Sequence, residues 1–533
     1  MIRLSHFAAL VVLIALGTNA PAGARQPDLF AGLPPVRPEP AQSLKTEARD
    51  WYKDAVVYHL WVAAFRDSDG DGVGDLKGII QGLDALKDLG VTCLWLSPFC
   101  KSSSSPRNLH GYDVIDHYTV DPRLGTNEDA KALVRAAHSR GMRVIFDFVP
   151  NHVSSRHPWF IESRNPKSPK RDWFIWRDTR PAKGWTGFDN QSAWRAADGA
   201  FYYGIFSSGM PDVNHRNAPV RLEMAKAARH WLDFGFDGIR MDAVRFLYEN
   251  LAANGAKADQ EDQPETLAWF ESFRRDVLDP YEAAGYAKFM VAENWTNDRR
   301  SLLNYMGKAD RPAFHMTLNF PLLAAFTKLN PAAARDLWTW DAELPPHAWL
   351  GTFTSNHDLA ADRPGSLFAK QPKKLRAQAA WLLLGPGTPF IYYGNEIGQP
   401  QGTDRGDIKH RKPLDWADLE RQRKDAASSW RWHQQLIRLR AEHPSLRRGK
   451  ARFLSTSGGD RVLALWRSHG PDTTLTLFNG QDAPLDSLKV SLPARIAAGQ
   501  FVLGAGAARL DAPDSLDAGP FMPYETKVVR IQP

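Results

Sequence analysis

Four short segments put acidic side chains where an apolar run ends: Asp147-Phe148-Val149-Pro150-Asn151-His152, Gly238-Ile239-Arg240-Met241-Asp242-Ala243, Val291-Ala292-Glu293-Asn294 and Phe353-Thr354-Ser355-Asn356-His357-Asp358. Carboxyls and imidazoles gathered at strand ends suit nucleophilic and general acid/base chemistry. Taken singly, each carboxylate could simply cap the next helix, and each histidine could be a hydrogen-bonded packing residue. Taken together they crowd like charges at one opening, which costs stability unless function requires it. Arg240 stands two residues before Asp242 on the same run, so it points to the same side and can hold that carboxylate ionised; a structural salt bridge is the alternative.

A different chemistry is written in Asp67-Ser68-Asp69-Gly70-Asp71-Gly72-Val73-Gly74-Asp75. Acids at the first, third, fifth and ninth places with Gly at the sixth reproduce the start of a calcium loop, and Val73 stands where such loops lend a main-chain carbonyl. Gly78 occupies the closing position, where an acid is usual. The expectation is a structural Ca²⁺ held by Asp67, Asp69, Asp71, Val73 and Asp75; an empty solvated turn is the rival.

These residues need strands to carry them. Short apolar runs alternate with helical stretches from Trp51 onward, which implies parallel strands with crossover helices. The candidate strands are Val56 to Val62, Val91 to Leu96, Arg143 to Phe148, Gly238 to Met241, Phe289 to Ala292, Phe314 to Leu318, Gly351 to Thr354 and Pro389 to Tyr393. Eight such strands predict an α/β fold, a (β/α)₈ TIM barrel, with its site at the C-terminal strand ends. Roughly sixty residues separate the third strand from the next helix, too many for a structureless loop, so a small inserted domain is expected over 153–209. Past the helix from Trp430 to Arg440 the texture becomes β-alternating, as in Val462-Leu463-Ala464-Leu465-Trp466. An antiparallel β-sandwich is expected over 451–533, with the barrel over 51–450.

The remaining chain bounds the setting. Of 533 residues, 43% are hydrophobic and 24% charged, the composition of an ordinary globular protein. The net charge of +7 is scattered among nearly as many acids, so no nucleic-acid partner is expected. Arg3, the apolar stretch from Phe7 to Leu16 and the small residues Ala20, Ala22 and Ala24 form a signal peptide over 1–24, too short for a membrane anchor. A periplasmic or secreted location follows. The segment 25–50, rich in proline, is expected to be a tether without a core of its own. Cys93 and Cys100 flank a predicted strand and are expected as two buried free thiols.

With these residues in view, the chain resembles the α-amylase family of glycoside hydrolases. The four segments look like that family's four short motifs, in order. His110-Gly111-Tyr112-Asp113, Met210-Pro211-Asp212-Val213-Asn214 and Tyr392-Tyr393-Gly394-Asn395-Glu396 agree as well. The resemblance implies Asp242 as nucleophile, Glu293 as acid/base and Asp358 as transition-state stabiliser. It implies that Tyr112, Asp147, His152, Arg240 and His357 bind the sugar under attack, and that the loop at Asp67 holds the metal. The implied substrate is an α-glucan or maltooligosaccharide, cleaved at α-1,4 bonds with retention by a monomer. Arg245 and Phe246 stand where family members with an interdomain calcium carry Lys-His, so no second metal is expected.

Exo-acting relatives carry an Asp shortly before Gly-Tyr-Asp, where this chain has Asn108-Leu109-His110. An end open to longer chains is therefore expected, and an Asp grafted at Leu109 should favour short substrates. The run from Arg171-Asp172-Trp173 to Met210-Pro211-Asp212 leans instead toward the glucosidase and trehalose-synthase branch. An α-glucosidase, a 4-α-glucanotransferase and, outside enzymes, a non-catalytic glucan-binding protein are the alternatives.

Overall fold

The computed structural model describes residues 28–532 except 40–42, 46, 47, 182, 183, 341–343, 359, 360 and 507. The expected signal peptide therefore lies outside the described residues. Eight parallel strands close into a barrel: β1 (Val57–Leu60), β2 (Cys93–Leu96), β3 (Arg143–Phe148), β4 (Gly238–Met241), β5 (Phe289–Ala292), β6 (Met316–Leu318), β7 (Trp349–Phe353) and β8 (Thr388–Tyr392). β8 returns to β1 through the register Val57 to Phe390, which closes the ring. All eight predicted strands are present, their ends shifted by a few residues at most.

Alternate positions face inward, and Val57, Cys93, Trp95, Ile145, Phe289, Val291, Met316, Phe353 and Phe390 pack into one cluster that fills the barrel. Above this apolar plug the same inward rows continue as His59, Asp147 and Arg240, so the interior turns from hydrocarbon to charge toward the C-terminal strand ends. The first residue of β4 must be glycine: a Cβ at Gly238 would stand 2.3 Å from the carbonyl oxygen of Phe289 on the neighbouring strand.

Between β3 and the helix Ala218–Asp233 the chain makes its excursion, built on a three-stranded antiparallel sheet of Trp176–Arg177, Ala200–Tyr203 and Trp194–Ala197. Its return is stitched to the barrel mouth by Val213 N–H to the Asn151 carbonyl (3.0 Å) and Val153 N–H to that of Pro211 (3.2 Å). At the C-terminus a five-stranded and a three-stranded antiparallel sheet share a core of Val462, Leu477, Val490, Leu516, Phe521 and Val529.

Two expectations are corrected. Residues 28–39 are no free tether: Phe30 is 2% exposed, its ring against Trp269 (5.5 Å) and Phe273 (5.8 Å). Arg221 Nε donates to the Leu29 carbonyl (3.1 Å), Arg229 to that of Pro34, and the Arg37 amide to Asp233 (3.1 Å), strapping the segment to the helix Ala218–Asp233. Proline content hid this, since it announces extended chain without saying what the chain lies on. Both thiols are free, but only Cys93 is fully buried and Cys100 is partly exposed.

Candidate active site

The hydrogen-bond ladder outruns the strands by one residue at the decisive place. Asp242 N–H donates to the Phe148 carbonyl (2.9 Å) and Glu293 N–H to that of Met241 (3.0 Å), which sets the two carboxyls side by side at the barrel mouth. Asp147 and Arg240 are register partners on β3 and β4, so their side chains rise together. One guanidinium then meets three acids: Arg240 Nη1 contacts Asp147 Oδ1 (2.5 Å) and Asp242 Oδ1 (2.9 Å), and Nη2 contacts Glu293 Oε1 (2.8 Å). Ala243, at φ 51°, turns its N–H onto Glu293 Oε2 (3.2 Å). For a residue with a Cβ this left-handed conformation is uncommon and costs strain, as backbone at functional sites often does.

One cation cannot hold three buried carboxyls ionised cheaply, so the set shares a proton. Asp147 receives the most donors, since Trp95 Nε1 (3.2 Å) and the Tyr112 hydroxyl (3.1 Å) add to Arg240. Burial lifts Glu293 to about 8, with Arg240 opposing and the Asp242 and Asp358 charges adding to the rise. Burial raises Asp242 to about 7 against the pull of the same arginine. The proton therefore rests on Glu293. Asp358 goes the other way: burial works against its charge, but His357 and Arg411 beside it outweigh burial and hold the carboxyl below its usual range. Burial also keeps His152 neutral, lowering it to about 3.

These groups border a cavity of about 550 Å³. Asp242, Glu293, Asp358, Tyr112 and His152 are on its wall. Asp147, Arg240 and His357 are not: they stand one layer back. The Nη1 and Nη2 groups of Arg240 are engaged by carboxylates, the oxygens of Asp147 by Arg240, Trp95 and Tyr112, and His357 Nε2 lies 2.7 Å from the Tyr112 hydroxyl. In the fold these three hold Tyr112, Asp242, Glu293 and Asp358 in place. Among the described residues the buried His152 Nε2 has no hydrogen-bond partner.

Several wall residues escaped the sequence reading. Arg411, from the loop after β8, lies 4.4 Å over Trp61 and bridges Asn108 Oδ1 (2.8 Å) to Asp358 Oδ1 (3.2 Å). Phe188 and Phe206 of the excursion stack at 5.0 Å and 8°, and Trp295, 58% exposed, stacks on Phe188 at 6.2 Å. Leu109 is 7% exposed and packs into the core, while its neighbours Asn108 and His110 line the cavity. An Asp at Leu109 would bury its charge, so the expected shift toward short substrates belongs to positions 108 and 110.

The family model for the alpha amylase catalytic domain matches residues 59–449, most of the chain. The chain belongs to the α-amylase family. Its α-amylase-family barrel is 33% identical to alpha-amylase 3 of Dictyoglomus thermophilum over 448 residues, 78% of this chain and 82% of that one. It is 34% identical to an oligo-1,6-glucosidase of Heyndrickxia coagulans over 383 residues, 66% and 67% of the two chains. Among solved structures, the α-amylase of H. orenii superposes with a TM-score of 0.76 at 30% identity, over 90% of this chain and all of the other. The α-glucosyl transfer enzyme XgtA superposes at 0.78 and 27%, over 90% and 99%. This α-amylase-family member is thus a glycosidase-type enzyme with a closed eight-stranded barrel.

In the loop after β1, Asp67, Asp69 and Asp71 are exposed and can bring one oxygen each within 4.8 Å of one another. Gly70 (φ 84°) and Gly72 (φ 92°) make the curl that gathers them. Asp75 sits apart in role. Its oxygens accept the Ser68 and Gly78 amides (both 2.8 Å), so it closes the loop and caps the helix Leu76–Leu89.

Proposed function

We propose that this enzyme cleaves α-1,4-glucosidic bonds of starch-derived maltooligosaccharides by double displacement. The observation that carries the reading is the single guanidinium shared by Asp242 and Glu293 at 2.9 and 2.8 Å. Two acids held on the two nitrogens of one planar group stand side by side, as a retaining pair about 5 Å apart requires. Asp242 attacks the anomeric carbon while Glu293 protonates the departing oxygen; Glu293 then takes a proton from the water that releases the glycosyl-enzyme. Asp358, ionised, and the free Nε2 of His152 hold hydroxyls of the flattening ring, and Tyr112 offers it a wall. Proton NMR of maltopentaose digestion should show the α-anomer as the first product. A β-anomer formed first would remove Asp242 from the nucleophile's place.

A second reading, removal of single glucosyl units from a chain end, is favoured by Arg411. Its bridge from Asn108 to Asp358 closes one side of the cavity, where further glucose units would otherwise extend. Arg411→Ala should then raise kcat/KM for maltopentaose relative to maltose about fivefold or more; an unchanged ratio supports the open cleft. The named relatives include an amylase, an oligo-1,6-glucosidase and a glucosyl-transfer enzyme, which supports the shared chemistry more than any one substrate.

The same proposal gives the loop at Asp67, Asp69 and Asp71 a structural Ca²⁺, with the Val73 carbonyl as a further ligand and Asp75 holding the loop shut. Hard oxygen donors in a glycine-curled turn fit that ion, and their mutual repulsion is relieved by it. Export to the periplasm or medium, and a monomeric state, complete the reading. Among the described residues no helix is long and apolar enough to cross a membrane.

A further inference from the structure

A second cavity, of about 350 Å³, lies in the seam between barrel and C-terminal sheets. One wall carries Lys373 and Arg376 of the helix Pro372–Leu384 with Trp432 and Gln435 of the helix Ser429–Glu442; the other carries Tyr524 and Glu525, just ahead of the last strand. Both helices follow barrel strands and begin at the end where the catalytic cavity opens. The lining residues lie in the first two turns of each helix, so the seam cavity is within about two helical turns of that end.

The aromatic planes here are fixed. Trp432 Nε1 donates to the Arg376 carbonyl (2.9 Å), and the Arg376 guanidinium lies over the indole at 4.2 Å. Tyr524 holds φ 57°, a left-handed conformation rare for an aromatic residue. A turn in which the Met522 amide donates to Glu525 Oε2 (2.8 Å) and the Glu525 amide to the Met522 carbonyl (3.1 Å) keeps it there. Lys374 Nζ stands 5.0 Å from the Tyr524 ring. Arg376 forms no ion pair among the described residues, and burial alone lowers its pKa. Among the described residues its guanidinium makes one hydrogen bond, to the Ala427 carbonyl at 3.4 Å, which leaves most of its five donors for something else.

Two rigid rings flanked by a planar guanidinium, an amide, an ammonium and a carboxylate suit a ring with apolar C–H faces and a rim of paired hydroxyls. A small anion would use the cations but has no use for the indole and phenol, and would meet Glu525. We propose that the seam cavity is a non-catalytic saccharide site that holds an α-glucan chain beside the catalytic opening. It rests on the reading of the substrate as an α-glucan. A chain held there raises the local concentration of its other end at the active site, so the site matters for polysaccharide and not for short oligomers.

The test uses full-length protein. Retardation in native gels containing amylose is compared for Asp242→Asn, which does not cut the polymer, and for the same chain with Trp432→Ala. Because Trp432 is half-buried, the exposed pair Lys373→Ala/Gln435→Ala is made as well. The Trp432 variant should weaken amylose binding about tenfold and the pair several-fold. In the active background, kcat/KM on maltotriose should stay within twofold. Wild-type retardation in the folded pair variant, retardation abolished by millimolar phosphate, or no retardation of Asp242→Asn at all overturns the site. Failure of the parent chain to cut maltotriose, with amylose still bound through Trp432, would instead overturn the catalytic reading and leave the seam site standing.

Discussion

At the scale of the residue, the distinction that matters is between groups on the cavity wall and groups behind it. Asp242 is on the wall, and an amide in its place could still accept the hydrogen bond from Arg240 Nη1 through its oxygen. Asp242→Asn should therefore lower turnover by about three powers of ten or more while oligosaccharide affinity, read by calorimetry, largely survives. Glu293 gives a pH prediction. It binds its proton more tightly in the folded chain, at about 8, than in the unfolded chain at the ordinary 4.5. Its favourable contribution is complete below pH 4.5 and is lost as pH rises through about 8. Glu293→Gln removes that loss, so the gain in Tm over wild type should be larger at pH 9 than at pH 5. The activity of the wild type should fall above about pH 8, where the general acid is no longer protonated. The position of the carboxyls at the mouth was legible because strand registers turn linear order into spatial order: an acid one step past an apolar run has to emerge there. Arg411, Phe188 and Trp295 were illegible for the opposite reason. They reach the cavity from loops, where no periodicity ties a position in the chain to a place in space.

At the scale of the element, the loop after β1 is held by amides that donate to its own acid: Asp67 accepts the Gly70 and Gly72 N–H groups at 2.7 and 2.8 Å. These bonds preshape the turn, and a bound Ca²⁺ would remove the repulsion that remains. EDTA should lower Tm and Ca²⁺ should restore it, with kcat/KM unchanged at temperatures well below unfolding. An unchanged melting curve with no calcium by elemental analysis removes the metal. The barrel strands themselves were the most legible elements, because their inward rows are apolar below and ionisable above. The excursion after β3 was legible only as length; its strand pairing depends on Trp and Tyr contacts that do not alternate regularly.

At the scale of the whole molecule, the strap of residues 28–39 ties the beginning of the chain to helices in its middle. Phe30 fills a pocket with Trp269 and Phe273, so Phe30→Ala should cost about 3 kcal/mol of local stability. Limited proteolysis should then cut within 28–39 sooner than in wild type, while kcat/KM on maltotriose is unaffected, since no strap residue reaches the cavity. The order in which the molecule is made sets a further condition. The strap is synthesised ahead of the helices it lies on, and its receptor surface is completed only about 240 residues later, a delay of roughly ten seconds or more at ordinary rates of elongation. Through that interval an apolar ring and its neighbours must wait without a partner. Prolines at 34, 35, 38 and 40 deny the waiting segment the unbroken run of amides that strand pairing needs. Residues 28–39 emerge well before the helices that receive them, and their composition keeps them unattached until the surface they fit exists.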